Sequence, residues 1–376
     1  MPPRFIFLAV TLGIALPLVA QQPAQSRFDQ WDKNQDGKLS REELPEPLRK
    51  NFGRVDANKD GFISKEEDAS VVSSQGQGSG KGQPKAPALS EGVKKVTDLD
   101  YAGTDNPRQK LDLYLPETPV GEGLLPVIVF IHGGGWMNGD KTSGSGKVAP
   151  FVASGKFAGA SIGYRLSAEA QWPAQIHDCK AAIRWIKAHA AEYGLDPERI
   201  AVWGTSAGGH LVAMLGVSHG VKELEGETGA HLDQTGKVKC VVDFFGPTEM
   251  LTLGRQKSNV ELNSPDSPES KLIGGPIQDY PDKAKSASPI EHVTADDAPT
   301  LIVHGTVDLL VPLPQSVDFE KRLEAVGVPV TLMTVEGGGH GQGFGKAVDV
   351  MVKVYLEKQL LGEERDVADR KVKAGE

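Results

Sequence analysis

Two cysteines are too few to staple a scaffold of 376 residues. Cys179 falls in a helical pattern and Cys240 at the head of a strand-like run, and the sequence leaves their pairing open. There is no basic excess. Asp and Glu outnumber Lys and Arg by 50 to 41, for a net charge of −9. Such a balance does not generate the field that draws nucleic acid or an anionic membrane surface. One long apolar run exists, residues 5–16, interrupted only by Thr11 and Gly13. It is shorter than the roughly 20 residues a membrane span requires. Arg4 precedes it, Pro17 ends it, and Leu18-Val19-Ala20 offers a small residue for cleavage. This is the layout of a secretory signal peptide over residues 1–20. The expectation is an exported chain, secreted or periplasmic, with no membrane span after cleavage.

What the sequence does contain comes in blocks. Residues 27–68 hold two matching loops offset by 56 − 32 = 24 positions. The first places oxygen donors at Asp32, Asn34, Asp36, Ser40 and Glu43, with the Lys38 carbonyl between them. The second repeats this with Asp56, Asn58, Asp60, Ser64 and Glu67, and the Phe62 carbonyl. Gly37 and Gly61 stand where a sharp turn is needed. A hard cation such as calcium takes six to eight oxygens from a curved backbone, and this spacing supplies them. Both loops resemble EF-hands, and Leu39 and Ile63 are placed to pair them. Pro45 and Pro47 shorten any helix between the loops, which argues against a large opening motion. The pair is therefore expected to be a structural calcium module that docks onto a protein partner.

Residues 69–92 are dominated by Ser, Gly, Gln, Pro and Lys and read as a flexible linker. From residue 93 to 362 strand-like and helical runs alternate. Strands are expected at 111–115, 125–131, 157–164, 199–203, 240–245, 301–303 and 330–335. Helices are expected at 174–193, 207–217, 314–326 and 346–360. The alternation predicts an α/β fold, a mostly parallel sheet with helices on both faces. Residues 248–293 interrupt it with Ser, Pro, Gly and Asp, as either a cap or a plain surface excursion. Residues 363–376 are a charged tail, expected to be solvated and frayed.

Four elements in this domain carry chemistry. Gly204-Thr205-Ser206-Ala207-Gly208 fits G-x-S-x-G between an apolar strand and a helical run. That context is a sharp turn that lifts a serine hydroxyl clear of the sheet. His132-Gly133-Gly134-Gly135-Trp136 follows the strand 125–131, upstream of the serine. Its glycines let backbone N–H groups approach a developing oxyanion, so Gly134, Gly135 and Ala207 are the candidate donors. Asp308 and His340 follow later strands, in the order serine, aspartate, histidine that such a turn calls for. Ser206 is then the nucleophile, His340 the base and Asp308 the acid that orients it. Asp243, His210, His304, Asp178 and the pair Tyr164-Arg165 read as structural.

The strings IHGGGW, SIGYRLS, GTSAGGHL, VVDFFGP, LIVHGTVD and GGGHG make the domain resemble the α/β-hydrolase superfamily. Within it the chain is similar to hormone-sensitive-lipase-like esterases and to acetylxylan and feruloyl carbohydrate esterases. The resemblance implies hydrolysis of carboxylic esters, including acetyl or feruloyl esters on plant-type polysaccharides, with no cofactor for that step. Two other enzymatic readings share the elbow, a prolyl-oligopeptidase-like peptidase and an aryl formamidase. A third reading is a calcium-dependent docking protein with an inert hydrolase domain.

Overall fold

The computed structural model describes residues 28, 31–44, 49, 52–56, 60–64, 89–253, 255–256, 258 and 263–376. The expected leader at 1–20, most of the expected linker, and the ligands Asn58 and Glu67 lie outside the described residues. The chain divides into two units, one within Met1–Pro84 and one within Lys85–Glu376.

In the smaller unit β1 (Lys38–Leu39) pairs antiparallel with β2 (Ile63–Ser64), with Leu39 opposite Ile63. Both side chains are buried with Phe28 and Leu44 in a small core of their own. The two loops thus meet through their eighth positions.

The larger unit is built on a nine-stranded sheet. Its strands are β3 (Val93–Asp100), β4 (Lys110–Pro116), β5 (Leu125–Ile131), β6 (Ala158–Ile162), β7 (Leu195–Thr205), β8 (Cys240–Phe244), β9 (Thr300–Gly305), β10 (Val330–Glu336) and β11 (Arg370–Lys373). Their order across the sheet is β11-β10-β9-β8-β7-β5-β6-β4-β3. Only β4 runs against the rest, antiparallel to both of its neighbours β3 and β6. Strands β5, β6, β8 and β9 are buried along their whole length, and β7 over residues 200–204, as a sheet covered on both faces requires. Helices α1 (Ser145–Val152) and α7 (Lys346–Leu361) cover one face. Helices α2 (Ala174–Ala188) and α3 (Ala207–Val217) pack in the core of the other. Next to α3, α6 (Pro314–Ala325) packs Phe319 and Leu323 against Ala213 and Val217. The 248–293 segment contributes the short helices α4 (Pro268–Ile273) and α5 (Pro281–Ser286). No helix among the described residues is long and apolar enough to cross a membrane.

Two readings are corrected here. The 363–376 tail is not a frayed end: Arg370–Lys373 adds a parallel edge strand to β10, and Val372 is buried against the α7 face. Its polar, alternating sequence hides an edge strand because only one residue faces the core. The segment around 145–152, assigned to no element from sequence, forms α1 despite an internal proline. Cys179 and Cys240 are both buried free thiols, so the pairing left open by the sequence does not occur.

Strand order places the ends that matter side by side. The carboxyl ends of β10, β9, β8, β7 and β5 are consecutive along one edge, where open α/β sheets build their sites.

If β11 holds the sheet edge, Val372→Asp should lower unfolding stability by about 2 kcal/mol, because a charge replaces a buried aliphatic group. Urea unfolding followed by circular dichroism measures this, and an unchanged midpoint would show that the strand contributes nothing.

Candidate active site

Ser206 sits between β7 and α3 with φ 58° and ψ −122°, a conformation L-residues rarely adopt. It is clamped from both sides. Its N–H donates to the Phe244 carbonyl at 2.8 Å, and its own carbonyl accepts the His210 N–H at 2.9 Å. The turn tolerates no bulk. A Cβ on Gly208 would collide with the Ile131 and His132 carbonyls at the end of β5. This close approach is what the final glycine of the motif provides.

Asp308 follows β9, and His340 lies beyond β10. From β10 to β7 is three strand spacings, roughly 14 Å. The 337–341 loop spans this distance by folding back over the end of β9. Val307 N–H donates to the Gly338 carbonyl at 2.9 Å, and Thr306 Oγ1 accepts the Gly337 N–H at 2.9 Å. The result is a continuous chain of groups. His340 Nδ1 lies 2.7 Å from Asp308 Oδ2, and its Nε2 lies 2.9 Å from Ser206 Oγ. With Nδ1–H donating to the carboxylate, Nε2 offers its lone pair to the serine hydroxyl. The Phe245 ring packs 4.4 Å from the imidazole and limits its movement.

Asp308 is buried, and its other oxygen accepts the N–H groups of Leu310 and Val311 at 2.9 and 3.0 Å. Burial alone lifts this carboxyl. Hydrogen bonding from the two neighbouring histidines, the charge of His340 and the Leu310 N–H outweigh it, and hold Asp308 well below the usual carboxylate range. Of the two histidines, His340 is the effective partner. His304 Nε2 is 3.5 Å from Asp308 and shared with the Val311 carbonyl at 2.9 Å, whereas His340 Nδ1 approaches the carboxylate to 2.7 Å. Asp243, the rival acid, is fully buried in β8 and accepts the Gly246 N–H at 2.9 Å. Burial pushes it up to about 6.

The glycine loop lies against Ser206, since a Cβ on Gly133 would come within 3.3 Å of Ser206 Cβ. Gly134 and Gly135 both have positive φ, 107° and 60°. Among the described residues, the N–H groups of Gly134, Gly135 and Ala207 donate to nothing within the chain. Tyr164 braces this loop, with its hydroxyl donating to the His132 carbonyl at 3.0 Å and its ring stacked on His132 at 4.3 Å. Arg165 points elsewhere and pairs with the buried Asp178 at 2.7 Å.

Sequence reasoning missed one connection. Trp136 Nε1–H donates to His210 Nδ1 at 3.2 Å, and His210 Nε2 reaches the Ala287 carbonyl at 2.7 Å. His210, which reads as simple packing from sequence, therefore ties the glycine loop to the 248–293 segment. Pro268 of α4 also lies over Gly135, 3.1 Å from where a Cβ would be. The segment is a cap on this site and not a surface excursion. The geometry requires a neutral imidazole, and burial does push His210 down to about 4.

That shift has a stability consequence with a definite sign. The folded value lies below the unfolded value of about 6.5, so the contribution is present above pH 6.5 and is lost as pH falls toward 4. Between pH 7 and 4.5 the unaltered protein should lose about 2 kcal/mol relative to His210→Gln. Urea titrations of both at each pH measure this. A difference that stays constant would mean the imidazole is not buried in its neutral form.

The family model described as BD-FAE matches residues 111–323, more than half of the chain. A model described as EF hand matches residues 24–45 and 48–67. Esterase LipC of Mycobacterium tuberculosis is 32% identical over 243 residues, which are 63% of this chain and 58% of that protein. A probable isoprenylcysteine alpha-carbonyl methylesterase of Arabidopsis thaliana, ICMEL1, is 29% identical over 63% of this chain and 49% of its own length. Among solved structures, a truncated carbohydrate esterase from gut microbiota is similar at 36% identity and a TM-score of 0.66, covering 71% of this chain and 96% of that one. An esterase of the planctomycete Thermogutta terrifontis is similar at 26% identity and a TM-score of 0.57, over 73% of this chain and 94% of its own. The chain spans about half the length of the curated relatives it matches. The matched region carries the serine elbow, the glycine loop and Asp308 on the sheet described above, and by that match the chain belongs to the BD-FAE family of α/β-hydrolase esterase domains.

Proposed function

We propose that this protein hydrolyses carboxylic esters through an acyl-enzyme on Ser206. The observation that carries the reading is the Ser206–His340–Asp308 chain, at 2.9 and 2.7 Å, beside three free backbone donors. Ser206 Oγ attacks the ester carbonyl as His340 Nε2 takes its proton. Asp308 keeps the proton on Nδ1 and stabilises the imidazolium. The N–H groups of Gly134, Gly135 and Ala207 receive the oxyanion, each worth on the order of 3 kcal/mol of barrier. The C–O bond to the alcohol breaks, and His340 returns the proton to the leaving oxygen. Water, deprotonated by the same imidazole, then releases the acid and restores the serine. Ser206→Ala should lower kcat at least about a thousandfold on p-nitrophenyl acetate. Near-full activity in that variant would remove Ser206 from the scheme.

Within this activity we assign acetyl or feruloyl esters on plant-type polysaccharides as the substrate class. The support is the similarity to carbohydrate esterases. Free acetate or ferulate from acetylated, feruloylated xylan is the expected product. Cleavage of p-nitrophenyl acetate without release from xylan would move the natural substrate elsewhere.

For the smaller unit we propose a structural calcium module, on an exported protein, that docks onto a protein partner. The EF hand match and the loop backbone support the metal. Asp32 accepts the Asp36 and Gly37 N–H groups at 3.1 and 2.9 Å. Asp56 accepts those of Asp60 and Gly61 at 3.1 and 3.0 Å. The first-position carboxylates are thus curled into their loops in the same way. Glu43 is folded back onto the Ser40 hydroxyl at 2.7 Å, which closes the first loop. Among the described residues no three acidic, histidine or cysteine side chains form a ready-made metal cage, so the fit rests on donor type, spacing and loop curl. Calcium would supply charge neutralisation that fixes the two loops, with no part in the ester chemistry. Calorimetric titration of the full chain should show calcium uptake that Asp32→Ala combined with Asp56→Ala abolishes. Absence of uptake in the unaltered chain would refute the metal.

A further inference from the structure

Two buried side chains between β9 and α6 play no part in the ester chemistry described above. His304 and Ser316 are both fully buried. His304 Nδ1 lies 2.6 Å from Ser316 Oγ, and its Nε2 lies 2.9 Å from the Val311 carbonyl. A carbonyl only accepts, so Nε2 carries the ring proton and Nδ1 accepts the proton of the Ser316 hydroxyl. Apolar groups of the same shape would serve the core about as well as such a pair. Its place beside Asp308 therefore calls for a different account.

Val311 is the link. Its carbonyl accepts from His304, and its N–H donates to Asp308 Oδ1 at 3.0 Å. The same His304 nitrogen faces Asp308 Oδ2 at 3.5 Å, the oxygen that lies 2.7 Å from His340 Nδ1. His304 thus reaches both ends of the 308–311 turn from the inside. The turn needs an inner anchor, because the residues around the acid look outward. Val307, Leu309 and Leu310 are 54%, 43% and 47% exposed. The Asp308 N–H reaches the Gly305 carbonyl only at 3.4 Å. From the 248–293 segment, the Ser258 hydroxyl donates to the Leu309 carbonyl at 2.9 Å, which holds the tip of the turn and not the carboxylate.

The anchor itself is firmly held. His304 sits in β9 opposite Thr334 of β10. Ser316 lies in the first turn of α6, with its N–H on the Leu313 carbonyl at 3.0 Å. Its hydroxyl sets the rotation of the imidazole, so that Nε2 stays turned toward Val311 and Asp308. Sheet and helix are in this way connected to a carboxylate carried by a surface loop.

We propose that His304, oriented by Ser316, is a positioning residue for ester hydrolysis. Acting through Val311 and Asp308, it keeps Asp308 Oδ2 aimed at His340. The proposal rests on the ester-hydrolase reading and deepens it by adding two residues behind the acid. No bond is made or broken at His304. Its contribution is orientation, and misplacing a catalytic group by 1 Å costs about a hundredfold in rate.

The test uses the full chain and p-nitrophenyl acetate, with kcat and KM read separately. His304→Leu, which fills the space but cannot donate, should lower kcat at least about tenfold and leave KM within about twofold. His304→Gln, whose amide can donate from near the Nε2 position, should recover kcat to within about threefold of the unaltered protein. Ser316→Ala should lower kcat about fivefold, and it decides the matter if His304→Leu does not fold. Unchanged kcat in the folded variants, or an equal loss in His304→Gln, overturns the proposal, because the histidine would then only be filling space. If the unaltered protein cleaves no ester, the ester-hydrolase reading falls on its own. Proton NMR then judges the anchor through the His340 Nδ1 proton. Sharing with a carboxylate moves that signal far downfield, and His340→Asn identifies it. Loss of the signal in His304→Leu with retention in His304→Gln keeps the proposal. An unchanged signal in His304→Leu, or none in the unaltered chain, overturns it.

Discussion

The backbone at Ser206 is held in a conformation that costs on the order of 1–3 kcal/mol, and much of the domain serves to hold it there. The Phe244 carbonyl, one strand over, fixes the serine N–H, and α3 fixes its carbonyl through His210. The end of β5 presses so closely against Gly208 that no side chain fits. Relaxing any of these contacts would let the turn unwind and drop the hydroxyl away from His340. Strain at this point is the cost of presenting a hydroxyl and a helix N-terminus in one place.

The rest of the site follows from strand order. Glycine loop, serine, aspartate and histidine leave from β5, β7, β9 and β10, all at the same edge of the sheet. A parallel arrangement makes this automatic, because every such strand delivers its carboxyl end to one side. The remaining distance is closed by loops: 337–341 runs back across β9, and Asp308 is fixed by the N–H groups of Leu310 and Val311. The His340 imidazole is therefore positioned by backbone geometry and by a carboxylate that burial disfavours but hydrogen bonding keeps ionised.

The cap adds a second set of constraints on the same atoms. His210 accepts from Trp136 and reaches Ala287, so the glycine loop and the cap share one buried imidazole. Trp172 reinforces this side, with its indole N–H donating to Ser286 Oγ at 3.0 Å and its backbone N–H to the Leu272 carbonyl at 2.9 Å. A cap anchored in this way shapes the space next to Ser206 while staying tied to the glycine loop.

Much of this was legible in the sequence, for a local reason. The run at 125–131 and the helix at 207–217 have the bounds read from hydrophobic pattern, because burial on both faces or along one helix leaves a periodic trace. The elbow and the glycine loop were legible because close backbone approach demands glycine at fixed spacing. Asp308 and His340 were legible through their order along the chain, although only the fold sets them 2.7 Å apart. The tertiary structure alone decided what depends on distant partners. The edge strand at 370–373 is charged and keeps one buried residue, so its pairing with β10 leaves no periodic signal. The His210 bridge joins residues 74 and 77 positions away. Spacing along the chain can specify a turn or a strand, but a polar contact between remote segments is fixed only by the packing that brings them together.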